Sequence, residues 1–179
     1  FLDSSNRYVF MTMGTGDGYG GLEHRASTAL MTARKDLPVL GQQGQGEGYR
    51  GFLGLVSHEY FHTWNVKRIK PQAFAPYHLE QPDLTRLLWV FEGFTSYYDD
   101  LLLLRSGAIT QSDYLRLLAK TITSVARTPG RAKQSVAESS FDAWTRYYKQ
   151  DENSPNALVS YYTKGCLLYT SDAADDLLC

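Results

Sequence analysis

His58-Glu59-Tyr60-Phe61-His62 sets two imidazoles and a carboxylate at a spacing that suits metal-assisted hydrolysis. On a helix, positions i and i+4 share one face, so His58 and His62 can grip a single zinc ion. Glu59 lies between them, where a carboxylate can take a proton from a water bound to that ion. A catalytic zinc takes three protein ligands and keeps one position open. The third must come from another element as a carboxylate or histidine. Glu92 is the best candidate, because a glutamate between Trp89-Val90-Phe91 and Gly93-Phe94 is costly without a partner. Taken alone, Glu92 is equally well a helix-surface acid; beside the pentad, the ligand reading prevails. Cys166 and Cys179 both lie in the last fourteen residues, so thiolate zinc sites and disulfides are excluded from the rest.

These residues need elements to position them. Residues 7–13 are β-prone and partly alternating and predict a strand. Five glycines between Gly14 and Gly21 imply a turn or a close backbone approach. Residues 22–32 alternate loosely and predict a second strand, and a Gly/Gln-rich connection follows at 41–50. From Phe52 the period changes: Phe52, Leu55, Val56, Glu59 and His62 fall at helical spacing and predict a helix over 50–65. Pro71, Pro76 and Pro82 imply a long loop. A helix is expected over 85–106, ended by Gly107. Another is expected over 111–127, with Thr110 as cap and Pro129-Gly130 beyond it. A short helix is expected around 139–149. The class is α+β.

The chain has 179 residues, 43% of them hydrophobic, enough for a domain with a core. A net charge of −1 gives no electrostatic case for nucleic acid or an anionic membrane. No apolar run is long enough to span a bilayer. The chain starts at Phe1 rather than Met and reads as an excised piece, which leaves the compartment open: bacterial periplasm, secreted or cytoplasm. Residues 166–175 resemble the translation of a transposase adapter used in DNA library preparation. The expected organisation is therefore a catalytic domain over 1–165 and a non-native tail over 166–179.

Four separated stretches, in order, resemble the glycyl aminopeptidase family of zinc peptidases. They are Gly20-Gly21-Leu22-Glu23-His24-Arg25, the segment Ser57–Arg68 around the pentad, Leu88–Tyr98, and Ser160–Gly165 with its Tyr-x-Lys-Gly. The resemblance covers about residues 7–165. It implies a thermolysin-like zincin fold of the glutamate-ligand type, with a small β-sheet packed on a mainly helical half. It also implies one zinc ion on His58, His62 and Glu92, with Glu59 as general base. Glu23 would hold the free α-amine of a peptide, and Gly21 belongs to the edge strand that pairs with the substrate backbone. His24 lines the pocket or merely fills the strand. Tyr162 would donate to the oxyanion, with Tyr161 as runner-up if the two alternate on a strand. The implied substrate is a peptide with a free N-terminus and a small first residue, glycine or alanine. A downstream PDZ domain is usual in the family. A zinc endopeptidase on the same scaffold, or a catalytically silent peptide-binding module, are the competing readings. His78 is expected to be exposed, and Lys67, Arg68 and Lys70 to form a solvated turn. Ser96, Asp99 and Asp100 are weak candidates to support a ligand.

Overall fold

The computed structural model describes residues 7–41 and 46–176. Residues 42–45 of the Gly/Gln-rich connection and 177–179 of the tail lie outside the described residues. The chain divides into two compact units. One comprises the residues up to Ile69 together with Asp99–Thr110; the other comprises Lys70–Tyr98 and the residues from Gln111 onward.

In the first unit, strands β1 (Val9–Thr15), β2 (Gly20–Glu23) and β3 (Ser27–Ala33) form a sheet in the order β1-β3-β2. β1 runs parallel to β3 with Val9 opposite Ser27; β2 runs antiparallel to β3 with Glu23 opposite Thr28. β2 is therefore an edge strand among the described residues. The single strand expected at 22–32 is in fact a hairpin. His24 N–H donates to the Ser27 carbonyl at 2.8 Å and closes it over Arg25-Ala26. Tight hairpins usually announce themselves by Asn-Gly or Gly-X, and this turn has neither. Thr28, Leu30 and Thr32 alternate inward from β3 and are buried.

Helix α1 (Glu47–Phe61) packs against β2 and β3. Its buried residues are Leu55 and Glu59, one turn apart, so the face that meets the sheet carries the pentad's carboxylate. The helix is shorter at its end than the expected 50–65. His62 is its C-cap, and tight turns follow, with Thr63 N–H on the Tyr60 carbonyl and Trp64 N–H on the Phe61 carbonyl.

In the second unit, a π-helical turn over Trp89–Gly93 leads into helix α2 (Phe94–Arg105), whose later residues belong to the first unit. The helical run starts a few residues after the expected 85, because the Thr85 hydroxyl accepts the Leu87 N–H at 3.2 Å in a local turn. Helix α3 (Gln111–Arg127) has the expected bounds. The helix expected at 139–149 is two pieces, α4 (Val136–Phe141) and a π-helical turn over Ala143–Tyr147. Ser135 and Glu138 cap α4 reciprocally, a signal legible as Ser-x-x-Glu. Helices α5 (Ser154–Ala157) and α6 (Tyr161–Asp176) complete the unit. Tyr161 and Tyr162 thus open a helix instead of alternating on a strand. Phe91, Ala143, Leu158, Val159, Tyr161 and Cys166 are buried.

Gly93 and Gly165 set the approach of α6 to the π-helical turn. A Cβ on Gly93 would lie 2.7 Å from the Gly165 backbone, and one on Gly165 would lie 2.8 Å from the Trp89 carbonyl oxygen. Both glycines are needed for backbone contact at this crossing. Trp89 N–H, one of the orphan donors at a helix start, is taken by the Ser140 hydroxyl at 2.9 Å. No helix among the described residues is long and apolar enough to cross a membrane.

Candidate active site

α1 presents His58 and His62 edge to face, with ring centroids 4.7 Å apart. They offer nitrogen atoms within 4.8 Å of one another. Each ring is oriented through Nδ1. His58 donates to Asp99 Oδ2 at 2.9 Å, and His62 donates to the Asn65 carbonyl at 2.7 Å. The Asn65 carbonyl can only accept, so the His62 proton sits on Nδ1 and its Nε2 keeps the basic lone pair; an ionised Asp99 carboxylate imposes the same tautomer on His58. This is how ligand histidines are held in metal sites. The arrangement fits a metal, and the donor set of imidazole and carboxylate suits zinc.

Asp99 is anchored in turn. Its carbonyl accepts from the Ser57 hydroxyl at 2.9 Å, and its Oδ1 accepts from the Asp100 N–H at 2.6 Å. Burial pushes the Asp99 carboxyl up, while the bond from His58 pulls it down. Asp100 is raised to about 7, by burial first and then by the neighbouring Asp99 charge.

Glu59 is buried, 5% exposed. It lies against Gly21 of β2, where a Cβ would overlap the Glu59 carboxylate. The glycine in the edge strand is therefore what makes room for the carboxylate of the pentad. Glu23, two positions along β2, offers a carboxylate oxygen within 4.8 Å of Glu59 and of a His62 nitrogen. Lys67 Nζ sits 3.2 Å from Glu23 Oε1. Tyr8 stands beside these acids, with its hydroxyl donating to the Ser27 carbonyl at 3.0 Å. Its phenol is pushed up to about 12, by burial and then by the charges of Glu59 and Glu23.

In the second unit, Glu92 lies within the π-helical turn and is half-buried. Such turns insert one residue into a helix and concentrate at functional sites. Tyr162 is on the first turn of α6. Its hydroxyl shares a hydrogen bond with Tyr148 at 2.9 Å, and Tyr161 donates to the same Tyr148 oxygen at 3.2 Å. Burial, followed by the negative charge of Glu92, raises the Tyr162 phenol strongly. It stays a neutral hydrogen-bond donor at any physiological pH. Tyr161 is 1% exposed and packs on Tyr147.

The first unit thus gathers His58, Glu59, His62, Glu23 and Gly21, and the second holds Glu92 near Tyr162. His24 sits at the hairpin turn, exposed, with Nδ1 3.0 Å from the Leu22 carbonyl oxygen. His78 is exposed and pairs with Asp83 at 2.7 Å. Lys70 lies over the Tyr77 ring. Lys67 is the departure from a solvated basic turn, since it reaches Glu23. Asp99, a weak candidate in the sequence, holds His58. Tyr148 had no signal at all, being one aromatic among many.

The sequence profile described as M61 glycyl aminopeptidase matches residues 51–168. Among solved structures, the chain is similar to the crystal structure of an aminopeptidase N family protein from Idiomarina loihiensis. The two are 54% identical with a TM-score of 0.89 over 92% of this chain. The match spans 28% of that longer protein. A search of curated proteins finds no match. The α+β zincin-type class expected from the sequence agrees with this neighbour.

Proposed function

The chain belongs to the M61 glycyl aminopeptidase family, and on that premise we propose that it carries the site of a zinc-dependent aminopeptidase acting on small N-terminal residues, glycine or alanine. The observation that carries the zinc reading is the pair of Nδ1 hydrogen bonds, His58 to Asp99 and His62 to Asn65. Together they turn two Nε2 lone pairs toward one ligand.

His58, His62 and Glu92 would hold the ion. Glu92 is supported as the third ligand by its carboxylate chemistry and by its place in a π-helical turn, a feature that concentrates at functional sites. Bound there, zinc would supply Lewis-acid polarisation of a carbonyl and would acidify water.

Glu59 accepts a proton from the attacking water and returns it to the leaving amine. Its burial against Gly21 excludes bulk water from that transfer. Tyr162 donates a hydrogen bond to the oxyanion as it develops. Glu23 binds the α-ammonium through a charge-assisted hydrogen bond, which restricts cleavage to the first peptide bond. The exposed edge of β2, with Gly21, pairs with the substrate backbone.

The test is Glu59→Gln. The variant is expected to retain zinc at one equivalent and to lose hydrolysis of glycyl and alanyl peptides. Near wild-type turnover in the zinc-loaded variant would remove Glu59 from the mechanism.

A further inference from the structure

The turn after the pentad performs two tasks at once. The Asn65 carbonyl accepts from His62 Nδ1, and two residues later Lys67 Nζ reaches Glu23 Oε1 at 3.2 Å. Between them, buried Val66 adopts φ 143°, a region that a β-branched residue adopts only under constraint. Lys67 N–H is tied back to the His62 carbonyl at 3.0 Å. Such a backbone conformation persists only where its surroundings over-determine it, commonly at functional sites. Here the constraint points Lys67 along the sheet edge toward β2.

Charge explains what Lys67 does there. The carboxylates of Glu23 and Glu59 lie within 4.8 Å of one another and repel. The Lys67 and Glu23 side chains are 22% and 20% exposed, so water screens the pair only in part. A cation beside Glu23 relieves the repulsion, and it takes the position that a peptide's α-ammonium would need.

We propose that Lys67 is a specificity-determining residue: its ammonium occupies the amine subsite at Glu23 until the α-ammonium of a peptide displaces it. The proposal rests on Glu23 as amine anchor. One cation exchanges for another, so Glu23 stays paired throughout. A neutral, acylated N-terminus brings no charge with which to displace Lys67, and the subsite stays closed to it.

The test compares one glycyl peptide, with its N-terminus free or acetylated, on the zinc-loaded protein and on Lys67→Gln. Removing the competitor should lower KM for the free peptide roughly two- to five-fold, the range of a partly screened ion pair. Inhibition of the reaction by the acetylated peptide should strengthen, because Lys67 no longer closes the subsite to a neutral end. Lys67→Arg, which keeps the charge, should bring KM back toward the wild-type value. The gain from Lys67→Gln should shrink as salt is raised. A KM that is unchanged or higher in Lys67→Gln would overturn the proposal. Failure of the underlying reading would look different: Glu23→Gln would then leave the preference for the free over the acetylated peptide intact.

Discussion

His58 and Asp99 are joined by a 2.9 Å hydrogen bond across 41 positions of sequence. The bond orients the ring of a proposed metal ligand. Asp99→Ala should therefore weaken zinc binding by about 10- to 100-fold, the usual effect of losing such a partner. Competition against a chromophoric chelator measures it. An unchanged affinity would show that His58 is held by other means.

Gly21 gives a second prediction, because its missing side chain is what admits the Glu59 carboxylate. In Gly21→Ala the added methyl must move that carboxylate, and a displacement of about 1 Å can cost on the order of 100-fold in rate. The expected result is a large fall in kcat with zinc content unchanged. Gly16→Ala, whose Cβ would meet nothing within 4 Å, serves as the control.

The two neighbouring phenols should separate cleanly. Tyr162→Phe should lower kcat by about 100- to 1000-fold, as removal of one oxyanion donor does. Tyr161→Phe removes a buried hydroxyl bonded to Tyr148, and its cost should appear as about 1 kcal/mol of stability in denaturant titration. The opposite pattern would assign the oxyanion to Tyr161.

Much of this site is legible in the sequence, and the reason is local. Helical spacing alone pairs His58 with His62 and sends Glu59 to the sheet side with Leu55. What the sequence does not reveal depends on partners far along the chain. Asp99 looks like one acid in an Asp-Asp pair until α2 places it on His58. Gly93 and Gly165 look like a tolerated glycine and a motif terminus until their backbones meet. The β2–β3 hairpin stayed hidden because Arg25-Ala26 carries no turn residue, so two strands read as one. Tyr161-Tyr162 fits a strand as well as a helix by composition, and only the packing of α6 on the Trp89–Gly93 turn decides it.

Tyr8 links the site to pH. Its phenol lies at about 12, above its ordinary value, because burial and the charges of Glu59 and Glu23 disfavour the phenolate. A raised folded-state pKa means that the folded chain holds the proton longer than the unfolded one. The resulting stability is complete below about pH 10 and is lost as pH rises toward 12. Absorbance titration of the phenolate band should show Tyr8 and Tyr19 with midpoints near 12, and Tyr8→Phe should remove one phenol from that range. A Tyr8→Phe variant that instead loses a phenol near the ordinary value would place Tyr8 away from the two carboxylates.

The aminopeptidase reading is tested most directly by product analysis on a single peptide that begins with glycine, offered with a free or an acetylated N-terminus. The zinc-loaded protein should release free glycine from the first form, lose that activity to a chelator, and leave the second form intact. Internal cleavage of both forms at similar rates would contradict the account and make the protein an endopeptidase.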